Sequence, residues 1–151
     1  MDEVLGRLMA EGSVKRTIVV GIDNTPERLR ELLPGKIQSY MDEDDIEDPA
    51  YALGDSYLKF VTDDSDAAAD AFLRYVSDRM PDRETTRLYM DYGKAGYDAA
   101  YGPYQERMDS LFRSRGWDED HYRSLAFEGH DHNETCWASR LEIPITFLLG
   151  E

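Results

Sequence analysis

Residues 129–137, "GHDHNETCW", bring histidines, carboxylates, a thiol and an indole into one short stretch near the end of an acidic chain. A histidine that lies just past a strand and at the start of a helix is suited to act as a general base. The same side chains could instead bind a metal ion, or serve only to begin a helix. The chemistry of the stretch therefore depends on the residues that the rest of the chain brings to it.

A general base needs a carboxylate to orient it and a nucleophile to deprotonate. Asp91 and Asp98 lie in "DYGKAGYD", one predicted strand earlier, and both are candidates for the orienting carboxylate. The serine-containing stretches "GSVKR" and "GDSYL" do not match the Gly-x-Ser-x-Gly nucleophile motif, and Ser56 falls within a predicted helix. The residues thus predict a base and an acid, with no recognisable nucleophile.

The metal-binding interpretation is weaker, because the two possible pairs of ligands require different backbone conformations. His130 and His132 share a face if the backbone is extended, whereas His132 and Cys136 share one if it is helical. The spacing is not a recognised zinc pattern, so we predict neither a metal site nor a cofactor. In the purely structural interpretation, His132 caps a helix, Glu134 favours the helix N-terminus, and Cys136 and Trp137 pack inward.

The elements that must position these residues alternate along the chain. We predict a helix that ends at Gly12, a second helix over roughly 65–80, and strands and helices in alternation after that. The predicted strands are "RTIVVGID", "TRLYMDYG" and "HYRSLAFEG", and further helical segments are "TPERLRELLPG", "AYALGDSYLKFV", "YGPYQERMDSLFRSRG", "HNETCWASRL" and "PITFLLGE". This order predicts an α/β fold with a reduced, mainly parallel sheet flanked by helices.

In such a fold, polar groups at the carboxyl ends of the strands line the functional crevice. Asp23-Asn24, the loop from Gly93 to Asp98, and the loop from Gly129 to Glu134 each follow a predicted strand. We therefore expect these loops to meet at one edge of the sheet.

Size and charge limit the possible partners. A chain of 151 residues with 41% hydrophobic residues is expected to fold as one globular domain. Its net charge of −15 argues against nucleic acid as a partner, and a surface rich in aspartate and poor in lysine suggests solubility in concentrated salt. The sequence shows neither a membrane-length apolar run nor the features of a signal peptide, which predicts a cytoplasmic protein with no membrane partner.

Four blocks of the chain, taken in order, resemble the enterochelin-esterase-like and esterase-D-like branch of the α/β-hydrolase superfamily. The resemblance implies a carboxylic ester hydrolase acting on a small-molecule ester, with His132 rather than His130 as catalytic base and Asp98 closest to the position of the acid. The blocks are "VKRTIVVGIDNTPERLRELLP", "GDSYLKFV", "RLYMDYGKAGYDAAY" and "GHDHNETCWASRLEIPITFLLG".

The chain also departs from this family pattern. The segment that carries the nucleophile elbow is missing, and Met1 falls after the loop that supplies an oxyanion-hole amide. We therefore expect a single shortened α/β-hydrolase-like domain over residues 1–151, weakly active or inactive alone. The alternatives are a non-catalytic binding or assembly module, and a half-enzyme that needs a second chain. A homodimer would cover the sheet edges that the missing strands expose.

Overall fold

The computed structural model of the chain describes residues 2–17 and 66–150. The described helices are α1 (Asp2–Ala10), α2 (Asp66–Asp78), α3 (Gly102–Ser114), α4 (Glu134–Arg140) and α5 (Glu142–Leu149), the strands are β1 (Leu88–Gly93) and β2 (Tyr122–Phe127), and a 3-10 helix spans Gly96–Tyr101. Every predicted helix and strand that falls wholly on these residues is present. The predicted strand at 16–23 lies outside the described residues except for its first two positions, and the predicted helices at 25–35 and 50–61 and the Asp23-Asn24 loop lie wholly outside them.

The chain divides into two compact units. One unit combines Met1–Val20 with Asp82–Glu151, and the other is Gly21–Pro81. The described part of the second unit contains α2, which confirms the helix predicted over roughly 65–80. The remaining described helices and strands belong to the first unit. The described candidate site residues, which include Asp98 and His132, also belong to it.

Within the described residues, β1 and β2 form a two-stranded parallel sheet, in which Leu88 lies opposite Tyr122 and Gly93 lies opposite Phe127. The 3-10 helix and α3 connect the two strands, because a parallel pair needs a crossover rather than a tight turn. This arrangement confirms the predicted α/β fold with a reduced parallel sheet and flanking helices. Since both strands run in the same direction, the loops after Gly93 and Phe127 leave the same edge of the sheet.

An aromatic core fixes α3 against β2. Met108 and Phe112 are four residues apart on α3, and both are buried, as the predicted apolar stripe requires. The Phe112 ring stacks on Tyr122 with centroids 4.6 Å apart, and it meets Trp117 edge-on at 5.1 Å. Such pairs add about 0.5–1.5 kcal/mol beyond the burial of apolar area.

A second core joins the two ends of the first unit. Leu5, Leu8 and Val14 are buried, and Ile145 and Leu149 of α5 pack against them. The turn at residue 12, a glycine with φ of 73°, ends α1 and lets the chain fold back. Within the described residues, none of the helices has both the length and the apolar character needed to cross a membrane.

Candidate active site

Asp98 is a buried carboxylate held by the end of β1. It is 2% exposed and lies in the 3-10 helix, where the sequence had predicted an irregular loop. Its Oδ2 atom accepts a hydrogen bond from the backbone N–H of Gly93 at 2.9 Å. Burying a charged group is costly unless donors compensate it, and this donor also fixes the direction of the carboxylate. The backbone of β1 therefore also fixes the direction of the other carboxylate oxygen, Oδ1.

His132 meets that oxygen from the neighbouring loop. Its Nδ1 atom lies 2.8 Å from Asp98 Oδ1, so the structure brings the two predicted residues together across 34 positions of sequence. The side chain of His132 is 40% exposed, whereas that of Asp98 is 3% exposed. The pair thus has one buried, fixed member and one member that reaches solvent.

The hydrogen bond also selects the tautomer of the imidazole. An ionised carboxylate can only accept hydrogen bonds, so the proton of neutral His132 belongs on Nδ1. The lone pair then lies on Nε2, and the described residues supply no hydrogen bond to that atom. An imidazole oriented in this way can take a proton from a reactant at Nε2.

Two glycines allow the loop of His132 to approach β1 closely. A Cβ atom on Gly93 would lie 2.1 Å from the carbonyl oxygen of His130 and 2.9 Å from Asp98 Oδ2. A Cβ atom on Gly96, which has a φ of 55°, would lie 2.0 Å from Asp131 Oδ1. That oxygen accepts hydrogen bonds from the backbone N–H groups of His132 at 2.7 Å and Tyr97 at 3.1 Å. Asp131 therefore cross-links the two loops beside the histidine.

Asp91, the other candidate carboxylate, does not contact His132. Its Oδ1 atom lies 2.9 Å from Nη2 of Arg140, whose side chain is 5% exposed. Successive strand residues point to opposite faces, so Asp91 shares a face with Gly93 and projects toward α4. The structure thus assigns Asp98 to the histidine and Asp91 to the buried arginine.

Tyr89 lies next to the Asp91–Arg140 ion pair and is not a candidate for the general base. Its hydroxyl is buried and has no partner of good hydrogen-bond geometry within the described residues. Burial raises the pKa of Tyr89, and the carboxylate of Asp91 raises it further, while Arg140 and Arg123 oppose the change. Tyr89 is therefore neutral at physiological pH.

Helix α4 begins differently from the structural interpretation of its sequence. That interpretation made His132 the cap, but Asn133 is the cap residue, and its Oδ1 accepts from the backbone N–H of Cys136 at 2.9 Å. A short amide on an extended backbone reaches that N–H directly, whereas the imidazole is turned toward Asp98. The expectation that Trp137 packs inward is also wrong, because it is 38% exposed and meets His132 edge-on at 4.8 Å.

The described residues place no serine hydroxyl against the His132–Asp98 pair. None of their serine hydroxyls forms a hydrogen bond with His132, and those of Ser110, Ser114 and Ser139 donate to backbone carbonyls of their own helices. In residues 2–17 and 66–150 no group of three or more potential metal ligands comes together. The arrangement can therefore move a proton at His132.

Sequence reasoning missed the role of Arg140. The guanidinium is buried between Asp91 and the ring of Phe127, whose centroid lies 5.0 Å from the arginine Cζ. One feature of the sequence indicated that a charged partner such as Arg140 would be needed. Asp91 is a charged residue inside the otherwise uncharged strand "LYMDYG", and a charge at such a position requires a partner.

Comparison with known proteins finds no family model, no curated protein and no solved structure that matches this chain. The fold and the site together define an α/β protein in which a buried carboxylate orients an exposed histidine at the carboxyl edge of a parallel sheet. Its function therefore has to be inferred from that geometry.

Proposed function

We propose that this chain carries the base–acid pair of an ester hydrolase of the α/β-hydrolase type. His132 acts as the general base, and Asp98 orients it. The observation that carries the proposal is the 2.8 Å contact between His132 Nδ1 and a carboxylate that is itself buried and held by Gly93. An acid–histidine pair of this kind, in which the second ring nitrogen is left to act as a base, is the arrangement that activates hydroxyl nucleophiles in acyl transfer.

The chemistry follows from the tautomer. Nε2 of His132 removes a proton from a hydroxyl or water as its oxygen attacks the ester carbonyl. The imidazolium that forms is stabilised by the carboxylate of Asp98. Nε2 then returns the proton to the departing alkoxide. Attack by water gives acid and alcohol in this one step. Attack by a hydroxyl of the chain gives alcohol and an acyl-enzyme, and a water deprotonated by Nε2 then attacks the acyl group, which releases the acid as the proton returns to the hydroxyl.

The expected rate is modest. General-base catalysis contributes about 10²- to 10⁴-fold, whereas the loss of an oxyanion-hole donor typically costs about 10²- to 10³-fold, and no residue is assigned that role in this proposal. Esters with good leaving groups need the least help from an oxyanion hole, so they are the substrates on which activity should be detectable. The nucleophile in this proposal is either water or a hydroxyl outside the described residues.

The test is hydrolysis of short p-nitrophenyl esters by the native chain and by His132→Ala. The chain provides a matched control in His121, whose Nδ1 also lies 2.8 Å from an aspartate, Asp118, but within one exposed turn. We expect His132→Ala to lose at least about 10²-fold in rate and His121→Ala to keep the native rate. Low and molar salt are compared, because salt screens the self-repulsion of a chain with net charge −15.

The time course identifies the nucleophile. A burst of nitrophenol equal to the protein concentration indicates a hydroxyl of this chain that forms an acyl-enzyme. A linear time course indicates that water attacks directly. Equal rates for the native chain and His132→Ala would contradict the proposal and favour the binding-module alternative, and activity that arises only on adding a serine-bearing chain would identify a half-enzyme.

A further inference from the structure

Arg140 is a buried charge that touches three parts of the molecule at once. It ends α4, and its side chain is 5% exposed. A guanidinium taken out of water must be compensated by partners of good geometry. Its partners come from β1, from the end of β2 and from the loop that carries His132.

The first contact ties α4 to β1. Nη2 of Arg140 lies 2.9 Å from Asp91 Oδ1. Asp91 precedes Gly93 by two residues, and the N–H of Gly93 holds the buried carboxylate of Asp98. Arg140 is thus attached to the strand that aims the acid.

The second contact ties Arg140 to the loop of the base. Nη1 lies 3.3 Å from Nδ1 of His130, and the backbone carbonyl of His130 accepts from the N–H of Ala95 at 3.0 Å. The guanidinium also lies over the ring of Phe127, the last residue of β2. Both the side chain and the backbone of His130 are therefore fixed, two residues before His132.

We propose that Arg140 is a positioning residue, which sets the separation of His132 and Asp98 by linking Asp91 of β1 to His130 of the neighbouring loop. The catalytic consequence rests on the proposed function, whereas the positioning itself does not. Arginine suits this role because its planar fork presents separate N–H donors to two acceptors. Lysine has a single charged centre and cannot reproduce both directions.

The link constrains the protonation of His130. Arginine only donates hydrogen bonds, so Nδ1 of His130 must act as the acceptor and its ring proton must lie on Nε2. Asparagine places its side-chain oxygen where Nδ1 lies, and leucine has a similar size with no acceptor. His130→Asn and His130→Leu therefore form a matched pair that leaves the Asp91–Arg140 ion pair intact.

The experiment reads the tautomer of His132 by nitrogen–proton correlation spectra of histidine-labelled protein. The chain has three histidines, and the signals of His132 are assigned by their absence in His132→Ala. In the native chain we expect the Nδ1–H tautomer. His130→Asn should keep it, whereas His130→Leu and Arg140→Lys should shift His132 toward the Nε2–H tautomer, which free histidine prefers. Arg113→Lys, at an exposed helix position, is the control for the arginine change and should leave the spectrum native.

The results separate the two proposals. If His130→Leu and His130→Asn both retain the native tautomer of His132, Arg140 does not position the base, whatever the esterase assay gives. If only His130→Leu loses it, the positioning role holds even when the native chain hydrolyses no ester. Should Arg140→Lys fail to fold, the two His130 variants still decide the outcome, because they remove no buried charge. Where ester hydrolysis is measurable, kcat should fall in His130→Leu, with KM changed by less than kcat.

Discussion

Replacing Gly93 with alanine tests whether the close approach of β1 to the histidine loop builds the site. The new Cβ would lie 2.1 Å from the carbonyl oxygen of His130, whereas ordinary contacts begin at 3.4 Å. It would also lie 2.9 Å from Asp98 Oδ2, the atom that the N–H of Gly93 holds. The atoms that must yield include backbone, so the clash cannot be relieved by rotating a side chain. The loop of His132 has to move away from β1.

The magnitude follows from the two interactions that the movement damages. Steric overpacking of a well-packed site costs about 1–3 kcal/mol, and the hydrogen bond to a charged carboxylate is worth about 1.5–3 kcal/mol. We expect Gly93→Ala to lower the free energy of unfolding by about 3–5 kcal/mol, a large part of the 5–15 kcal/mol typical of a domain. A displacement of the base by about 1 Å should also lower ester hydrolysis roughly 10²-fold.

Gly6→Ala is the matched control, because it adds the same methyl group to a helical position with nothing within 4 Å. Alanine is favoured over glycine in a helix, so this variant should gain about 0.5–1 kcal/mol. Urea unfolding followed by circular dichroism measures both variants. A Gly93→Ala chain with a midpoint at or above that of the native protein, and with the native tautomer of His132, would show that the close approach of β1 does not build the site.

Two further predictions concern the supports of the site. Asn133→Ala should lower the free energy of unfolding by about 1 kcal/mol through loss of the helix cap, and Asn133→Asp should not, as urea unfolding of both variants will show. Tyr122 donates to Asp109 Oδ1 at 2.6 Å, and burial, followed by this hydrogen bond to a carboxylate, raises its pKa. Because the pKa is raised on folding, the stabilisation is complete below the ordinary tyrosine pKa of about 10 and is lost as pH rises above it. Unfolding experiments across alkaline pH should therefore show the stability difference between the native chain and Tyr122→Phe shrinking above about pH 10, and a constant difference would contradict this origin.

Much of the local structure could be predicted from the sequence, because it depends on neighbouring residues. Apolar spacing along the chain predicted α1, α2 and α3, and the stop at Gly116 matches a residue with φ of 80°. Strand β1 also follows from the alternation of "TRLYMDYG" into Gly93, and β2 matches the strand predicted at "HYRSLAFEG". The 3-10 helix at Gly96–Tyr101 was not predicted, since it forms where the chain must bring Asp98 back under the end of β1.

The order of strands and loops along the chain already indicates which residues could meet at the edge of the sheet. His132, Asp91 and Asp98 all follow from the rule that parallel strands end together, since that rule needs only the strand order. Tertiary structure alone decided between the two carboxylates. Strand alternation turns Asp91 toward buried Arg140, while the 3-10 helix turns Asp98 back to the N–H of Gly93 and to His132. Those directions depend on contacts between residues far apart in the chain, and spacing along the sequence contains no record of them.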